Sequence, residues 1–493
     1  MGFKPIPAAV AVVLTLILWF IPAPEGVAPN AWHLLALFIG VIAGIIGKAM
    51  PIGAMAVLAM TIVALLQVTV PEMGADGKPI KNPSAQAAKD ALSSLNSTLI
   101  WMIGIAIMIS RGLLKTGLGT RIGYLFLSIF GKKTIGVAYS LALCDLLIAP
   151  VTPSNTARGG AIVHPIMKAI AASFDSDPEK GTQNKIGRYL ALVNYHANII
   201  SCLIFVTATA PNPLAVDLIA KATDSKIHLS WGTWFTAMVV PGLVAMAVMP
   251  IILFFLYKPE ITSTPDAPEM ARTKLKEMGP MSKGEKIMLA VFVVLLLLWA
   301  GVPDMLFGVK VDATTTTFLG LSLLLLTGVL TWDDVLKEKG AWDTIVWFAA
   351  LVMMATFLNK LGLIKWFSDM MGQQIQGMGL SWVVGCALLA VVYIYSHYMF
   401  ASGTAHVTAM LGAFYAVGLH LGAPPMLFAL ILAASTGIMM SLTHYASGSS
   451  PVIYNSGYTT MGEWWIAGFV MSVVEILIFC TIGLLWWKTL GYW

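Results

Sequence analysis

The sequence has 493 residues, of which 58% are hydrophobic and only 11% are charged. A water-soluble domain carries about 25% charged residues, so the composition excludes a single soluble core and predicts an all-α polytopic membrane protein. The net charge of +5 arises without a basic stripe of interleaved aromatic residues, which argues against a nucleic-acid partner.

Apolar runs that cross, or nearly cross, about 30 Å of hydrocarbon as helices recur along the chain. The clearest are residues 7–22, 32–49, 52–70, 99–111, 238–256, 287–302, 316–330, 344–358 and 465–487. The first run lacks the small-residue cleavage site of a secretory signal, so we interpret it as a span. Lys and Arg residues concentrate in loops on the side of the amino terminus, which predicts that this terminus is cytoplasmic.

A charged segment at residues 259–286 divides the chain into halves, residues 1–258 and 287–493, and we interpret it as a cytoplasmic linker. Short matches between the halves occur in the same order at a nearly constant offset. They pair residues 98–101 with 344–347, 115–117 with 360–362, 154–157 with 402–405, and 210–213 with 446–451. This pattern predicts an internal duplication.

Each half also contains apolar segments that are interrupted by Pro, Gly and polar residues, around positions 149–157 and 207–213 and again around 400–405 and 443–451. Irregular backbone at membrane depth is costly unless it lies inside protein or lines a wet cavity. Matching breaks in two repeats indicate a transporter binding site. We interpret residues 134–172 and 381–419 as re-entrant hairpins. About eleven transmembrane helices remain. Because this number is odd, the two halves have opposite orientations in the membrane, and the repeats are predicted to be inverted.

The tips of the two predicted hairpins offer short uncharged hydrogen-bond donors: Ser154, Asn155 and Thr156 in the first tip, Ser402 and Thr404 in the second. Backbone N–H groups at a helix start carry partial positive charge, so a carboxylate is a good partner there. Two such tips predict a site for both ends of a dicarboxylate. The alternative is that Ser and Thr only cap their helices, but their recurrence in both halves favours the binding site.

Two ionisable residues follow the tips at equivalent repeat positions, Arg158 and His406. An ionisable group at membrane depth is a functional hypothesis by default, and we predict that this pair compensates the charge of a bound anion. The alternative is that His406 is a structural histidine of the protein core, with its ring nitrogens hydrogen-bonded inside the protein. His397 and His444 are interpreted as mostly structural. Asp145 is interpreted as the partner of a cation in the hairpin, with Arg158 as one choice.

No motif for a metal, a cofactor or catalysis is present, and the four Cys residues lie in apolar stretches as small buried side chains. The sequence therefore predicts neither an enzyme nor a metal site. The absence of an acidic cluster at the tips argues against a cation transporter.

Residues 153–158, 209–212 and 402–406 resemble the divalent anion/sodium symporter family, and most of all its branch of citrate/succinate antiporters and 2-oxoglutarate/malate translocators. The resemblance covers nearly the whole chain. It implies a homodimer embedded in lipid, here in the bacterial cytoplasmic (inner) membrane, with a transport domain that moves against a scaffold domain as an elevator. The substrate-binding pattern of the family maps onto Ser154, Asn155, Thr156, Ala208, Thr209, Ser402, Gly403, Thr404, Ala446, Ser447 and Gly448.

The sequence departs from the symporters at the second tip, where Gly403 replaces an Asn that helps to hold Na⁺. With Arg158 and His406 beside the tips, this departure suggests that resident cations replace sodium. We therefore predict Na⁺-independent exchange of di- or tricarboxylates such as 2-oxoglutarate, malate, succinate and citrate. The alternative is a Na⁺-coupled dicarboxylate symporter.

Overall fold

The computed structural model describes residues 2–71, 80–223, 226–377, 380–400 and 402–493. Over these ranges the chain is helical, with turns and loops between the helices and no strand. Residue 401, inside the second predicted tip, lies outside the described residues.

The first half and the linker contain twelve α-helices among the described residues. They are α1 (Pro5–Phe20), α2 (Pro29–Ile46), α3 (Ile52–Leu66), α4 (Pro83–Leu92), α5 (Thr98–Thr116), α6 (Leu118–Phe130), α7 (Thr134–Ile148), α8 (His164–Ser173), α9 (Gly187–Ile204), α10 (Pro211–Ala222), α11 (Trp231–Leu256) and α12 (Ala267–Met278).

The second half continues with thirteen α-helices in its described part. They are α13 (Lys283–Trp299), α14 (Val302–Phe307), α15 (Ala313–Leu326), α16 (Trp332–Lys337), α17 (Lys339–Lys360), α18 (Leu363–Gly377), α19 (Trp382–Tyr395), α20 (Gly403–His406), α21 (Gly412–His420), α22 (Pro425–Ile438), α23 (Ser450–Tyr454), α24 (Met461–Ile478) and α25 (Leu484–Thr489).

Within the described residues, seven helical segments are long and apolar enough to cross a membrane: Pro29–Ile46, Thr98–Thr116, Thr134–Val151, Trp231–Leu256, Lys339–Lys360, Trp382–Met399 and Met461–Thr489. Shorter apolar helices accompany them, including α1 and α3. Large apolar side chains on the outer helices are exposed, among them Val10, Leu65 and Phe255, as expected of a surface that faces lipid rather than water. The prediction of an all-α polytopic membrane protein is confirmed.

The predicted hairpins share most of their order of helix types, with a 3₁₀ turn before a π-helix in both halves. The first runs from α7 through a 3₁₀ turn (Ala149–Val151), an irregular stretch and a π-helix (Thr156–Val163) into α8. The second runs from α19 through a 3₁₀ turn (Ser396–Met399), the short α20 and a π-helix (Val407–Leu411) into α21. A π-helix adds a residue to a turn and is frequent at functional sites. Its recurrence just after both tips agrees with the predicted duplication.

The linker contacts both ends of the segment that contains the first predicted hairpin. The N–H group of Thr134, at the start of α7, donates to the carbonyl oxygen of Thr262 at 3.1 Å. Beyond α8, the N–H group of Ile261 donates to the carbonyl oxygen of Lys185 at 2.9 Å. The chain between these two contacts, which includes the first tip, therefore leaves the linker and returns to it.

Candidate functional site

Both tips line one cavity of about 380 Å³ together with the other two interrupted segments. These are called here the first break (residues 207–213) and the second break (residues 443–451). Of the residues predicted to bind substrate, the cavity is lined by Ser154, Asn155, Thr156, Thr209, Ser402, Gly403, Thr404, Ser447 and Gly448. The two remaining predicted residues, Ala208 and Ala446, are fully buried and do not line the cavity. Segments about 250 residues apart in the sequence thus meet at one place.

The tip serines act as helix caps. Ser154 Oγ accepts from the N–H group of Ala157 at 3.2 Å, and Ser402 Oγ accepts from the N–H group of Ala405 at 3.4 Å. The capping alternative therefore holds for these two side chains. Asn155, Thr156 and Thr404 differ: in the described part of the chain their side chains have no hydrogen-bond partner, and all three line the cavity.

Each tip packs against the break of the opposite half. A Cβ atom added to Gly448, in the second half, would overlap Thr156 Oγ1 of the first tip. A Cβ atom added to Gly403, at the second tip, would lie 3.5 Å from Cγ of Pro211 in the first half. The two halves are therefore interlocked around the cavity, and the contact is closest at Gly448, where a side chain would not fit without movement of Thr156.

A different group of helices supplies the facing wall of the cavity. Ile107 lies on α5, Thr344 and Trp347 lie on α17, and Lys48 follows the end of α2. Lys48 is exposed and is the cation in the described lining of the cavity, which contains no Asp or Glu side chain. No sequence pattern indicated Lys48, because its proximity to the tips depends on contacts between distant segments.

Arg158 lies behind the first tip, where its side chain is completely buried in an ion pair with Asp145, Nε to Oδ2 at 2.9 Å. The pairing of Asp145 with Arg158 is confirmed. Arg158 Nη1 also donates to the carbonyl oxygens of Thr152 at 2.7 Å and Ala208 at 3.1 Å. The guanidinium group thus joins the first tip to the first break, and its charge is balanced by Asp145 inside the protein.

His406 is also fully buried, and its Nδ1 lies 2.9 Å from Nδ1 of His397. The other ring nitrogen of His397, Nε2, donates to the carbonyl oxygen of Ala446 at 3.2 Å. A hydrogen bond between two Nδ1 atoms requires one of them to lack a proton, so at least one ring is neutral. The histidine pair joins the second tip to the second break, as Arg158 does in the first half through Ala208.

A buried polar network on α9 was missed by the sequence reasoning. Asn198 Nδ2 donates to Asp145 Oδ1 at 2.9 Å, and Asn198 Oδ1 accepts from Ser449 Oγ at 2.9 Å. Tyr195 accepts from Ser450 Oγ at 2.9 Å. The network ties the ion pair of the first half to the break of the second. The sequence did contain a pattern that indicates this network: Asn194 and Asn198 lie one helical turn apart in an otherwise apolar helix.

Comparisons with known proteins identify the relatives of the chain. The family model described as the sodium:sulfate symporter transmembrane region matches residues 4–493. The chain is 46% identical over 492 residues to the putative malate transporter YflS of Bacillus subtilis, covering 99% of this chain and 97% of that protein. It is 42% identical over 494 residues to the chloroplastic dicarboxylate transporter 1 of Arabidopsis thaliana, covering 100% of this chain and 84% of that protein.

Among solved structures, the chain is similar to the crystal structure of the Alcanivorax borkumensis YdaH transporter. The TM-score is 0.56 at 12% sequence identity, with 89% of this chain and 98% of that chain covered. At this identity the similarity concerns the fold alone.

Proposed function

Given that the chain belongs to the sodium:sulfate symporter family of membrane transporters, we propose that it exchanges di- or tricarboxylates across the membrane without coupling to Na⁺. It is an integral membrane transporter and not an enzyme. One observation carries the proposal: both tips present free polar side chains to a single cavity, and the described lining of that cavity contains no carboxylate. The names of relatives, a putative malate transporter and a dicarboxylate transporter, support the substrate class.

The proposed binding mode gives each tip one end of the substrate. N–H groups at the helix starts, together with Asn155 and Thr156 at the first tip and Thr404 at the second, donate to the carboxylates. Gly403 has no side chain to match Asn155, so the second tip leaves more room. Malate, succinate, 2-oxoglutarate and citrate are the substrates proposed on this basis.

In this proposal Arg158 and His406 compensate charge through the backbone around the site. The carbonyl oxygens of Thr152, Ala208 and Ala446 carry partial negative charge that would repel a carboxylate. Arg158 binds the first two, and His406 acts on the third through His397. With these acceptors occupied, the tips present donors to the anion. Lys48 adds a positive charge at the cavity wall.

The proposed movement is an elevator. The tips and breaks interlock with each other, whereas α2, α5 and α17 supply the facing wall. Movement of the interlocked unit past that wall would carry the cavity across the membrane. An empty cavity would carry unpaired donors into the apolar interior, which is costly, so the loaded carrier crosses more readily and exchange results.

The test measures uptake of labelled succinate and malate into proteoliposomes that are either empty or loaded with unlabelled succinate. We expect rapid uptake only into loaded vesicles, and the same rate in sodium and in choline buffer. Thr156→Val removes a cavity hydroxyl while keeping the shape, and should lower exchange about tenfold, as expected for the loss of one hydrogen bond to a charged group. Thr481→Val is the matched control, because Thr481 is exposed on the last spanning segment and bonds only its own helix.

The alternative, a Na⁺-coupled symporter, is favoured by one observation. Asn155 faces the cavity with Oδ1 3.4 Å from the Cβ position of Gly448, so an amide oxygen lies near irregular backbone whose carbonyl oxygens suit a hard cation. The same assay separates the two functions. Uptake into empty vesicles that depends on a sodium gradient would show that the protein is a symporter and not an exchanger.

The orientation and the assembly are also proposals. We propose a homodimer in the bacterial inner membrane with a cytoplasmic amino terminus and linker. Labelling of Lys283→Cys by a membrane-impermeant maleimide should occur in inside-out vesicles and fail in intact cells. Light scattering of the purified protein in detergent should give twice the mass of one chain.

A further inference from the structure

A second cavity, of about 470 Å³, opens beside the candidate site and is called here the vestibule. It is lined by Ile46, Lys48, Tyr398, Met399, His444, Tyr445, Pro451, Tyr454 and Asn455. It shares Lys48, Tyr445 and Pro451 with the candidate site, so the two cavities are neighbours with a common wall. The N–H group of Lys4 donates to Ala49 at 2.7 Å, which places the vestibule at the end of the protein that carries the amino terminus.

The polar groups of the vestibule are mostly unused donors. Lys48 is exposed, and within the described ranges no carboxylate lies within ion-pairing distance of it. The hydroxyl groups of Tyr398 and Tyr454 and the amide of Asn455 form no hydrogen bond to any described residue. No Asp or Glu side chain belongs to the described lining. A concave surface that combines a free ammonium group with free neutral donors is suited to an anion.

His444 provides an independent observation of the same kind. Nε1 of Trp465 donates to Nδ1 of His444 at 3.1 Å. An accepting Nδ1 carries no proton, so the hydrogen of the neutral ring lies on Nε2, which is then a donor. The indole thus fixes the ring in the form that adds a donor to the vestibule rather than an acceptor.

We propose that the vestibule is a separate carboxylate-binding station, which holds one end of a dicarboxylate before the molecule enters the candidate site. Lys48 belongs to both cavities and passes the anion from one to the other. The station serves only the membrane side that carries the amino terminus. The inference rests on the proposed substrate class, but it holds for exchange and for symport alike.

The experiment compares the KM for succinate on the two sides of uniformly oriented proteoliposomes. Lys48→Ala should raise the KM about tenfold on the amino-terminal side, in line with the gain that a charged cleft gives, and by less on the opposite side, where Lys48 contributes only as part of the candidate site. Lys48→Arg should restore most of the loss. The double variant Tyr454→Phe/Asn455→Ala alters the vestibule without touching the candidate site, and should raise the KM several-fold on the same side only.

Lys283→Ala is the matched control, because it removes an exposed positive charge at the start of α13, outside both cavities. The effect of Lys48→Ala should shrink in 0.5 M salt, where the Debye length falls between about 3 and 10 Å and exposed charges farther apart than this are largely screened. The proposed station would be contradicted if Lys48→Ala and the double variant changed the KM equally on both sides, or if neither changed it. The proposed function fails by a different result, the absence of succinate transport in the unaltered protein.

Discussion

Arg158 and Asp145 form an ion pair of 2.9 Å from which solvent is completely excluded. Removing one partner of a buried pair leaves the other charge without compensation, at a cost of about 3–5 kcal/mol. We expect Arg158→Ala to lower the free energy of unfolding by about that amount and to lower exchange at least tenfold. The second effect follows because the carbonyl oxygens of Thr152 and Ala208 lose their donor. Thermal unfolding in detergent and exchange in proteoliposomes measure the two effects.

The double variant Arg158→Gln/Asp145→Asn separates charge from packing. It leaves no unpaired charge, so most of the lost stability should return. Exchange should stay well below the unaltered level, because a glutamine cannot reach both carbonyl groups. Full recovery of exchange in this variant would show that the cation at position 158 contributes nothing to transport.

His397 and His406 are predicted to act as one unit, because among the described residues the hydrogen bonds of His406 reach the second break through His397. His397→Ala and His406→Ala should each lower exchange. The double variant should be no worse than the more damaged single variant, since residues in one hydrogen-bond network couple by about 0.5–3 kcal/mol. His420→Ala is the control, because His420 is half-exposed at the end of α21, away from the cavity. Additive losses would show that the two rings act separately.

The membrane fold and much of the candidate site could be predicted from the sequence, because long apolar runs are rare outside membranes and polar breaks within them are conspicuous. The tips and the breaks followed from that contrast, whereas it left the partner of Asp145 open between another cation in the hairpin and Arg158. The helix α9 was not among the clearest apolar runs, since Asn194, His196 and Asn198 lower its hydropathy. It is nevertheless buried along almost its whole length.

Two kinds of contribution were beyond the reach of sequence patterns. The resemblance implied that Ala208 and Ala446 bind substrate, but in the structure their carbonyl oxygens accept from Arg158 and His397, and every residue possesses such an oxygen. Lys48 lines the cavity because α2 ends beside the second break, and nothing in the local sequence records that proximity. Both depend on tertiary contacts between segments that are far apart in the chain.

The linker is predicted to give the protein a measurable sensitivity to acid. Glu285 accepts from Arg121 Nε at 2.6 Å and from the N–H group of Ser282 at 2.7 Å. Burial raises the pKa of Glu285, but the hydrogen bonds from Arg121 and Ser282 outweigh burial and the pKa falls below 4.5. Because the pKa is lower in the folded protein, the stabilisation is complete above about pH 4.5 and is lost as the pH falls through the folded pKa.

Glu285→Gln should therefore be less stable than the unaltered protein at pH 7, by about 2 kcal/mol as for a hydrogen bond to a charged group. The difference should disappear in strongly acidic buffer, where Glu285 is protonated. Asp333→Asn is the control, since the ion pair of Asp333 with Lys337 is exposed and such pairs contribute at most about 1 kcal/mol. Melting temperatures between pH 3 and 7 measure the effect. A constant difference across this range would contradict the assignment.

Gly448 and Gly403 provide a matched test of how the tips and breaks interlock. Neither glycine has a positive φ, so alanine at either position is limited by space alone. At Gly448 a Cβ atom overlaps Thr156 Oγ1, whereas at Gly403 the nearest atom is Sδ of the flexible Met440, at 3.3 Å. Overpacking costs about 1–3 kcal/mol, and Gly448→Ala should therefore raise the KM for succinate about tenfold or more.

Gly403→Ala should change the same KM by no more than about threefold, because the end of Met440 can turn aside at little cost. Adding Thr156→Ala to Gly448→Ala frees the space and should recover the melting temperature, but not the KM, since the hydroxyl donor is lost. An unaltered KM in Gly448→Ala would mean that the first tip and the second break do not touch in the working carrier. The conclusion that each tip packs against the break of the opposite half would then be wrong.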